Sequence, residues 1–246
     1  MILTVKDLHV SYKNRKKNSL KYDEKEVLKG LEFSIDENEI VGLVGESGCG
    51  KSTLAKALLG LIKSKSGEIN LNCKHPQMVF QDPYSSLNPK KRISFILEEP
   101  LKNLTDMTSE ERRKKAEWIL GEVGLDKEYL DRYPSELSGG QRQRVCIAES
   151  MILGSNFLIL DEPVSALDVT IQAQVLELIR ELKVKHKLSI LFISHDLRVV
   201  YSLCDKVMIL KDGLIVEQGN RDKIYRNPQH EYTKKLLKSA GITIKC

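Results

Sequence analysis

Apolar residues open the chain at near-alternate positions, Leu3, Val5, Leu8 and Val10, and a second set, Leu31, Phe33 and Ile35, follows at period two. That spacing puts apolar side chains on one face of an extended chain and predicts a pair of antiparallel strands. The charged stretch between them, Lys13 to Glu26, reads as a solvated loop. Ile40 to Val44 is apolar without alternation, the pattern of a strand buried on both faces, and it runs into the glycine-rich Gly45 to Gly50. A helix is predicted from Lys51 to about Leu61, with Leu54, Ala57, Leu58 and Leu61 along one face.

Two short strands are expected next, Glu68 to Leu71 and Gln77 to Phe80, and then a stretch rich in Pro, Ser and Asn from Asp82 to Pro89. From there to Pro134 the period becomes helical: Glu110 to Val123 carries charge on one side and Ala116, Ile119, Leu120 and Val123 on the other. Beyond, strands Phe157 to Leu160, Ser189 to Ile193, Val207 to Leu210 and Leu214 to Gln218 alternate with helices Val169 to Lys185 and Leu197 to Leu203. Alternation of this kind predicts an α/β fold with a mostly parallel sheet covered by helices. The expected division is a core of residues 1–81 and 156–246, including an N-terminal antiparallel β-subdomain, and an inserted helical subdomain of residues 82–155.

With 246 residues, 41% of them hydrophobic, the chain can bury a real core, which argues against a disordered or fibrous protein. Basic residues exceed acidic ones by only five, and Lys13 to Glu26 contributes more than half of that excess. Such a balance is too mild for a nucleic-acid footprint, and no nucleic-acid partner is expected. Apolar runs are short and flanked by charge, whereas a membrane span needs roughly 20 apolar residues. Met1 to Tyr12 carries Lys6, Asp7 and His9, unlike a secretory signal, so the chain is expected to stay in the cytosol. Cys49, Cys73, Cys146, Cys204 and Cys246 are scattered, with no CxxC pair or His cluster, and read as reduced thiols.

Candidate chemistry begins at Gly45-Glu46-Ser47-Gly48-Cys49-Gly50-Lys51-Ser52, with Thr53 next, which fits G-x-x-x-x-G-K-[ST] between a buried strand and a helix. There the glycines let backbone N–H groups curl around phosphates, the helix N-terminus adds positive potential, Lys51 reaches the β and γ phosphates, and the Ser52 hydroxyl binds Mg²⁺. The bland alternative is a glycine-rich turn, but a chance match in a chain of this length is roughly one in a hundred. A second Mg²⁺ carboxylate and a base for water are expected at Phe157-Leu-Ile-Leu-Asp161-Glu162, where a strand ends in two acids. Alone, that pair would be a solvated turn or a helix cap; with the phosphate loop upstream, Asp161 reads as a Mg²⁺ ligand through water and Glu162 as the residue that orients the attacking water.

Leu137-Ser138-Gly139-Gly140-Gln141, followed by Arg142-Gln143-Arg144 and a helix, completes the pattern. With it the whole chain resembles an ATP-binding cassette (ABC) ATPase. Gln81 matches that family's Q-loop, Ser165-Ala166-Leu167-Asp168 its D-loop, His195 its switch histidine and Tyr12 the aromatic that stacks on adenine. The resemblance implies Gln81 on Mg²⁺ with Ser52 and Asp161, Glu162 as general base, His195 at the γ-phosphate, and Asp168 communicating across a head-to-tail dimer. In that dimer ATP lies between the phosphate loop of one subunit and the Ser138-Gly139-Gly140-Gln141 signature of the other. As a helix start, the signature offers a hydroxyl, N–H groups and a dipole to an anion. Taken singly, Tyr12, Gln81 and His195 would be ordinary strand, turn and strand-end residues. One departure is Ala148-Glu149-Ser150 in place of the usual Ala-Arg-Ala, which puts a structural ion pair in doubt.

Gln81 to Pro89, Asp161 to Val169 with Gln172-Ala173-Gln174, the basic insertion before Val27, and Asn227-Pro-Gln-His-Glu-Tyr-Thr-Lys-Lys-Leu-Leu237 resemble the peptide and nickel importer ATPases. Some members of that group continue into a longer cysteine-containing tail, and ending at Cys246 resembles the shorter type. The insertion is equally readable as a plain surface loop, and residues 84–89 as a turn cluster. The resemblance implies ATP and Mg²⁺ as ligands, integral-membrane permease subunits and a second ABC ATPase, paralogous or identical, as partners, and an extracytoplasmic binding protein as an indirect one. It implies a peripheral place on the cytoplasmic face of the cell (inner) membrane. The competing readings are a soluble ABC ATPase acting on DNA or the ribosome, whose usual fused cassettes, zinc modules and basic arms are missing here, and a nucleotide-binding module without turnover, against which Lys51, Asp161, Glu162 and His195 argue.

Overall fold

The computed structural model describes residues 1–15, 22–82 and 86–242. The chain forms two compact units, residues 1–72 with 189–246, and residues 73–188. The first unit begins with strands β1 (Leu3–Arg15), β2 (Tyr22–Ile35) and β3 (Ile40–Val44), helix α1 (Lys51–Leu58) and strand β4 (Ser66–Leu71). The second contains β5 (Gln77–Val79), α2 (Ile93–Leu104), α3 (Ser109–Glu122), α4 (Gly139–Met151), β6 (Phe157–Asp161) and α5 (Val169–His186). The chain then returns to the first with β7 (Ser189–Ile193), α6 (Leu197–Leu203), β8 (Lys206–Lys211), β9 (Leu214–Asn220), α7 (Arg221–Arg226) and α8 (Glu231–Ser239).

In the first unit β1 lies between β2 and β4 in an antiparallel sheet, with Leu3 opposite Ile35 and Val5 opposite Phe33. The alternating residues Leu3, Val5, Leu8, Val10, Leu31, Phe33 and Ile35 are all buried, so their period marks the core face. The charged Lys13 to Glu26 departs from the expected loop. Backbone pairing continues through Tyr12 opposite Lys25 to Arg15 opposite Tyr22, and only residues 16–21 of the insertion fall outside the described ones. Main-chain hydrogen bonds propagate a hairpin whatever the side chains, and a charged sequence without apolar alternation gives no signal of that pairing.

Strand β3 is buried along its whole length, parallel to β7 on one side and β8 on the other, while β9 returns antiparallel on β8. The expected helix from Lys51 ends earlier than its apolar pattern, at Leu58. Gly60 takes φ +69°, its N–H bonds to the Ala57 carbonyl and the Leu61 N–H to the Lys56 carbonyl, a glycine-terminated helix end. Leu61 is consequently 61% exposed and not part of the buried face formed by Leu54, Ala57 and Leu58.

The second unit pairs β5 and β6 in parallel and packs α2, α3 and α4 around Ile93, Leu97, Ala116, Ile119, Leu120, Val145 and Ile147. Helix α3 starts where a capping box forms: the Thr108 hydroxyl accepts from the Glu111 N–H (3.3 Å) and the Glu111 carboxylate from the Thr108 N–H (2.7 Å). At its other end Glu122 accepts from Lys185 and His186 in the last turn of α5, each at 2.8 Å, and the His186 ring meets the Trp118 ring edge-on. Buried Arg142 donates to the carbonyls of Pro134 and Leu137, fixing the turn before α4. Among the described residues no helix is long and apolar enough to cross a membrane.

Glu149 on α4 stands in an unfavourable place for a charge: burial first, and then the Glu99 carboxylate, push its pKa up to about 7 from the ordinary 4.5. Its folded-state pKa lies above its unfolded value, so ionising it opposes folding. The penalty grows as pH rises from about 4.5 to about 7 and is fully present above that, at roughly 1–3 kcal/mol. Glu149→Gln should therefore raise the thermal midpoint at pH 8 by several degrees and change it much less at pH 5; equal shifts at both pH values in a calorimetric series would refute this account.

Candidate functional site

In the first unit, β3 delivers the chain into the glycine-rich loop and α1 carries it away. Gly50 adopts φ +116°, a region that disfavours side chains, and it occupies the N-cap of α1 without any side-chain cap. A Cβ on Gly45 would lie 2.3 Å from the Leu210 carbonyl oxygen of β8, so only glycine fits that passage. Between them Glu46, Ser47 and Gly48 are exposed, and Cys49 is buried, its thiol pKa raised chiefly by desolvation. Lys51 is only 8% exposed, yet its ammonium donates to two neutral acceptors, the carbonyls of Gly45 (2.7 Å) and Glu46 (3.0 Å). A buried cation on neutral carbonyls beside an uncapped helix N-terminus favours an anion, and the loop therefore fits a polyphosphate.

Other predicted residues of this unit surround the same elements. Tyr12 on β1 brings its hydroxyl to 3.4 Å from the Thr53 hydroxyl, one residue after Ser52. His195 follows the end of β7 and is exposed; the preceding Ser194 N–H bonds to the Leu43 carbonyl of β3, and Asp196 caps α6 by accepting from the Arg198 N–H (2.8 Å). Tyr232 had no predicted role. Its hydroxyl accepts from the Glu46 N–H at 3.3 Å, and the only sign of it in the sequence is its place in the Asn227 to Leu237 segment.

In the second unit Asp161 ends β6 and is 7% exposed. Glu162 follows in a left-handed conformation, φ +49°, unusual for a residue with a side chain. The Ser165 N–H and hydroxyl both donate to its carbonyl (3.2 and 3.1 Å) and stabilise that turn. Gln81, from the chain just after β5, donates its amide to the Glu162 carboxylate at 3.2 Å, so the structure brings these two predicted residues together.

The signature segment of this unit also has a structural purpose. Ser138 and Gln141 form a capping box, the Ser138 hydroxyl accepting from the Gln141 N–H (3.3 Å) and the Gln141 side-chain oxygen from the Ser138 N–H (3.0 Å). A Cβ on Gly140 would meet Ile171 at 2.5 Å, and one on Gly139 would meet Leu167 at 3.3 Å. Close packing of the α4 start on the α5 start therefore demands glycine at 140 whatever the segment binds. Asp168 is the N-cap of α5, accepting from the Ile171 N–H at 3.0 Å.

Comparison with known proteins gives the family and the fold. A family model described as "ABC transporter" matches residues 28–165. The dipeptide transport ATP-binding protein DppF of Escherichia coli (strain K12) is 45% identical over 225 residues, covering 85% of this chain and 67% of its own. The oligopeptide transport ATP-binding protein OppF of Streptococcus pyogenes serotype M1 is 39% identical over 258 residues, covering 98% and 82%. Among solved structures, the ATP-binding cassette MJ0796, a dimer in a post-hydrolysis state bound to ADP and Pi, superposes with a TM-score of 0.76 at 26% identity over 89% of this chain and 98% of that one. CbiO1 from Clostridium perfringens, part of the transporter complex cbiONQ, gives a TM-score of 0.78 at 26% identity, covering 96% and 94%. The chain belongs to the ABC transporter family, as one of its ATP-binding cassettes.

Proposed function

We propose that this chain is the ATP-hydrolysing, energy-coupling subunit of an ABC importer of peptides. The observation that carries the substrate class is the similarity, at 39% to 45% identity, to transport proteins named for dipeptides and oligopeptides, extending over at least 85% of the chain. The segments at 81–89 and 227–237 also resemble those of nickel and metal-chelate importers, which form the second substrate reading. Partners on this reading are integral-membrane permease subunits, a second cassette of the same or a paralogous kind, and indirectly an extracytoplasmic binding protein. The place of work is the cytoplasmic face of the cell membrane.

The proposed roles follow from the chemistry of each residue. The Lys51 ammonium and the N–H groups of residues 45–53 hold the phosphates of ATP, and the Tyr12 ring stacks on adenine. Ser52, Gln81 and Asp161 offer hard oxygen ligands, suited to Mg²⁺, which when bound neutralises charge on the phosphate oxygens. Glu162 orients a water and accepts its proton as the water oxygen attacks the γ-phosphorus and the bond to the ADP oxygen breaks. His195 contacts the γ-phosphate. Ser138, Gly139, Gly140 and Gln141 serve the ATP of the opposing subunit, and Asp168 links the two sites across that interface. Residues 82–155 form the helical part of the cassette and the flanking segments its nucleotide-binding core.

Two measurements test this reading. Glu162→Gln should bind ATP with near-wild-type affinity, lose at least about a hundredfold in turnover, and shift from monomer to dimer on ATP addition in size-exclusion chromatography. Wild-type turnover in that variant would remove Glu162 from its role. Gentle solubilisation of membranes should recover the chain with a permease whose binding protein takes up peptides in a direct binding assay. Recovery with ribosomes or DNA and no permease would overturn the transport reading.

A further inference from the structure

The structure assigns a task to the Asn227 to Leu237 segment: Tyr232 is a positioning residue that holds the phosphate loop in its ATP-binding form. Two bonds of opposite direction hold the peptide unit between Gly45 and Glu46. Its carbonyl, on Gly45, accepts from the Lys51 ammonium at 2.7 Å, and its N–H, on Glu46, donates to the Tyr232 hydroxyl at 3.3 Å. An N–H and a C=O on one planar peptide point opposite ways, so the lysine grips it from one side and the tyrosine from the other. If the tyrosine hydroxyl is lost, that plane can tilt and take the carbonyl away from Lys51.

Tyr232 itself is rigidly mounted. It is 9% exposed, its ring lies under the Lys211 ammonium (5.0 Å to the centroid), and its N–H donates to His230 Nδ1 at 3.0 Å as the first turn of α8 closes. Ahead of it the Glu217 carboxylate of β9 accepts from the Gln229 and His230 N–H groups at 2.7 and 3.1 Å, which fixes where α8 begins. Beside the tyrosine a cavity of about 620 Å³ lies between the loop at Gly45 and Glu46, the turn after β7 at His195 to Arg198, and the α8 residues Tyr232, Leu236 and Ala240. The Gly45–Glu46 peptide borders this open space, and on this side the tyrosine hydroxyl is the group bonded to it.

This inference rests on the ATPase reading, and the test separates the two. Purified full-length wild type, Tyr232→Phe and Tyr225→Phe are compared for MgATP-dependent turnover and thermal midpoint. The Tyr225 hydroxyl donates to the Leu197 carbonyl in the same unit and does not touch the loop, so its variant controls for loss of a buried tyrosine hydroxyl. Tyr232→Phe keeps the ring and should raise KM for ATP about threefold to tenfold, with kcat within about twofold of wild type and no fall in midpoint beyond that of Tyr225→Phe. An unchanged KM in Tyr232→Phe, or a matching rise in Tyr225→Phe, overturns the positioning role. Absence of turnover in the wild type overturns the ATPase reading itself.

Discussion

A single buried ammonium constrains much of the first unit. Lys51 is held away from water on the carbonyls of Gly45 and Glu46, and a cation in that position is tolerable only with correctly aimed acceptors around it. Those carbonyls are aimed by the path of the loop, and the path is enforced from several directions. Leu210 of β8 crowds Gly45, the Gly213 N–H binds the Cys49 carbonyl (3.1 Å), Leu28 of β2 crowds Gly50 and Tyr232 of α8 binds the Glu46 N–H. The central place of β3 between β7 and β8, and the β-hairpin packed beside α1, can be understood as the scaffold this loop requires.

The residues legible in the sequence are those whose task is local. A strand buried on both faces, a phosphate loop and a helix start obey rules of spacing over a few residues, and β3, the loop, α4 and the apolar periods of β1 and β2 stand where those rules put them. Tasks that depend on a partner far along the chain were invisible. Tyr232 meets Glu46 across 186 positions, and no pattern within the Asn227 to Leu237 segment states that its tyrosine faces a glycine-rich loop. Glu122 with Lys185 and His186 is a second example: the acid reads as one charge among many on the polar side of a helix until α5 closes over it.

Helix α1 and the β1–β2 hairpin depart from their side-chain patterns for a common reason. Periodicity reports side-chain burial, whereas element ends are decided by main-chain geometry. The apolar pattern continued to Leu61, but a left-handed Gly60 ended α1 three residues earlier. The charged Lys13 to Glu26 lacked an apolar face, but backbone pairing carried β1 and β2 into it. Glu149 is different in kind. The sequence shows the charge reversal, but what it entails, a partly buried Glu149 carboxyl within reach of the exposed Glu99 carboxylate, depends on the packing of α4 against α2.

Each half of the proposed chemistry is incomplete by itself, and the incompleteness is informative. The loop of the first unit supplies cationic and N–H groups, which bind an anion but cannot take a proton from water. The β6 end of the second unit supplies Asp161 and Glu162, which can take a proton but repel an anion. Gln81 donates to Glu162 and so occupies part of that carboxylate, while the positive φ at Glu162 makes its backbone costly to hold without the Ser165 bonds. The third element, the N-terminus of α4, is an anion-favouring end whose own cap is already satisfied by Ser138 and Gln141, so an approaching phosphate would add to the cap without building it. On the reading proposed above, one ATP draws on all three kinds of group: cation and N–H groups for its phosphates, a carboxylate for the attacking water, and the α4 start of the opposing subunit.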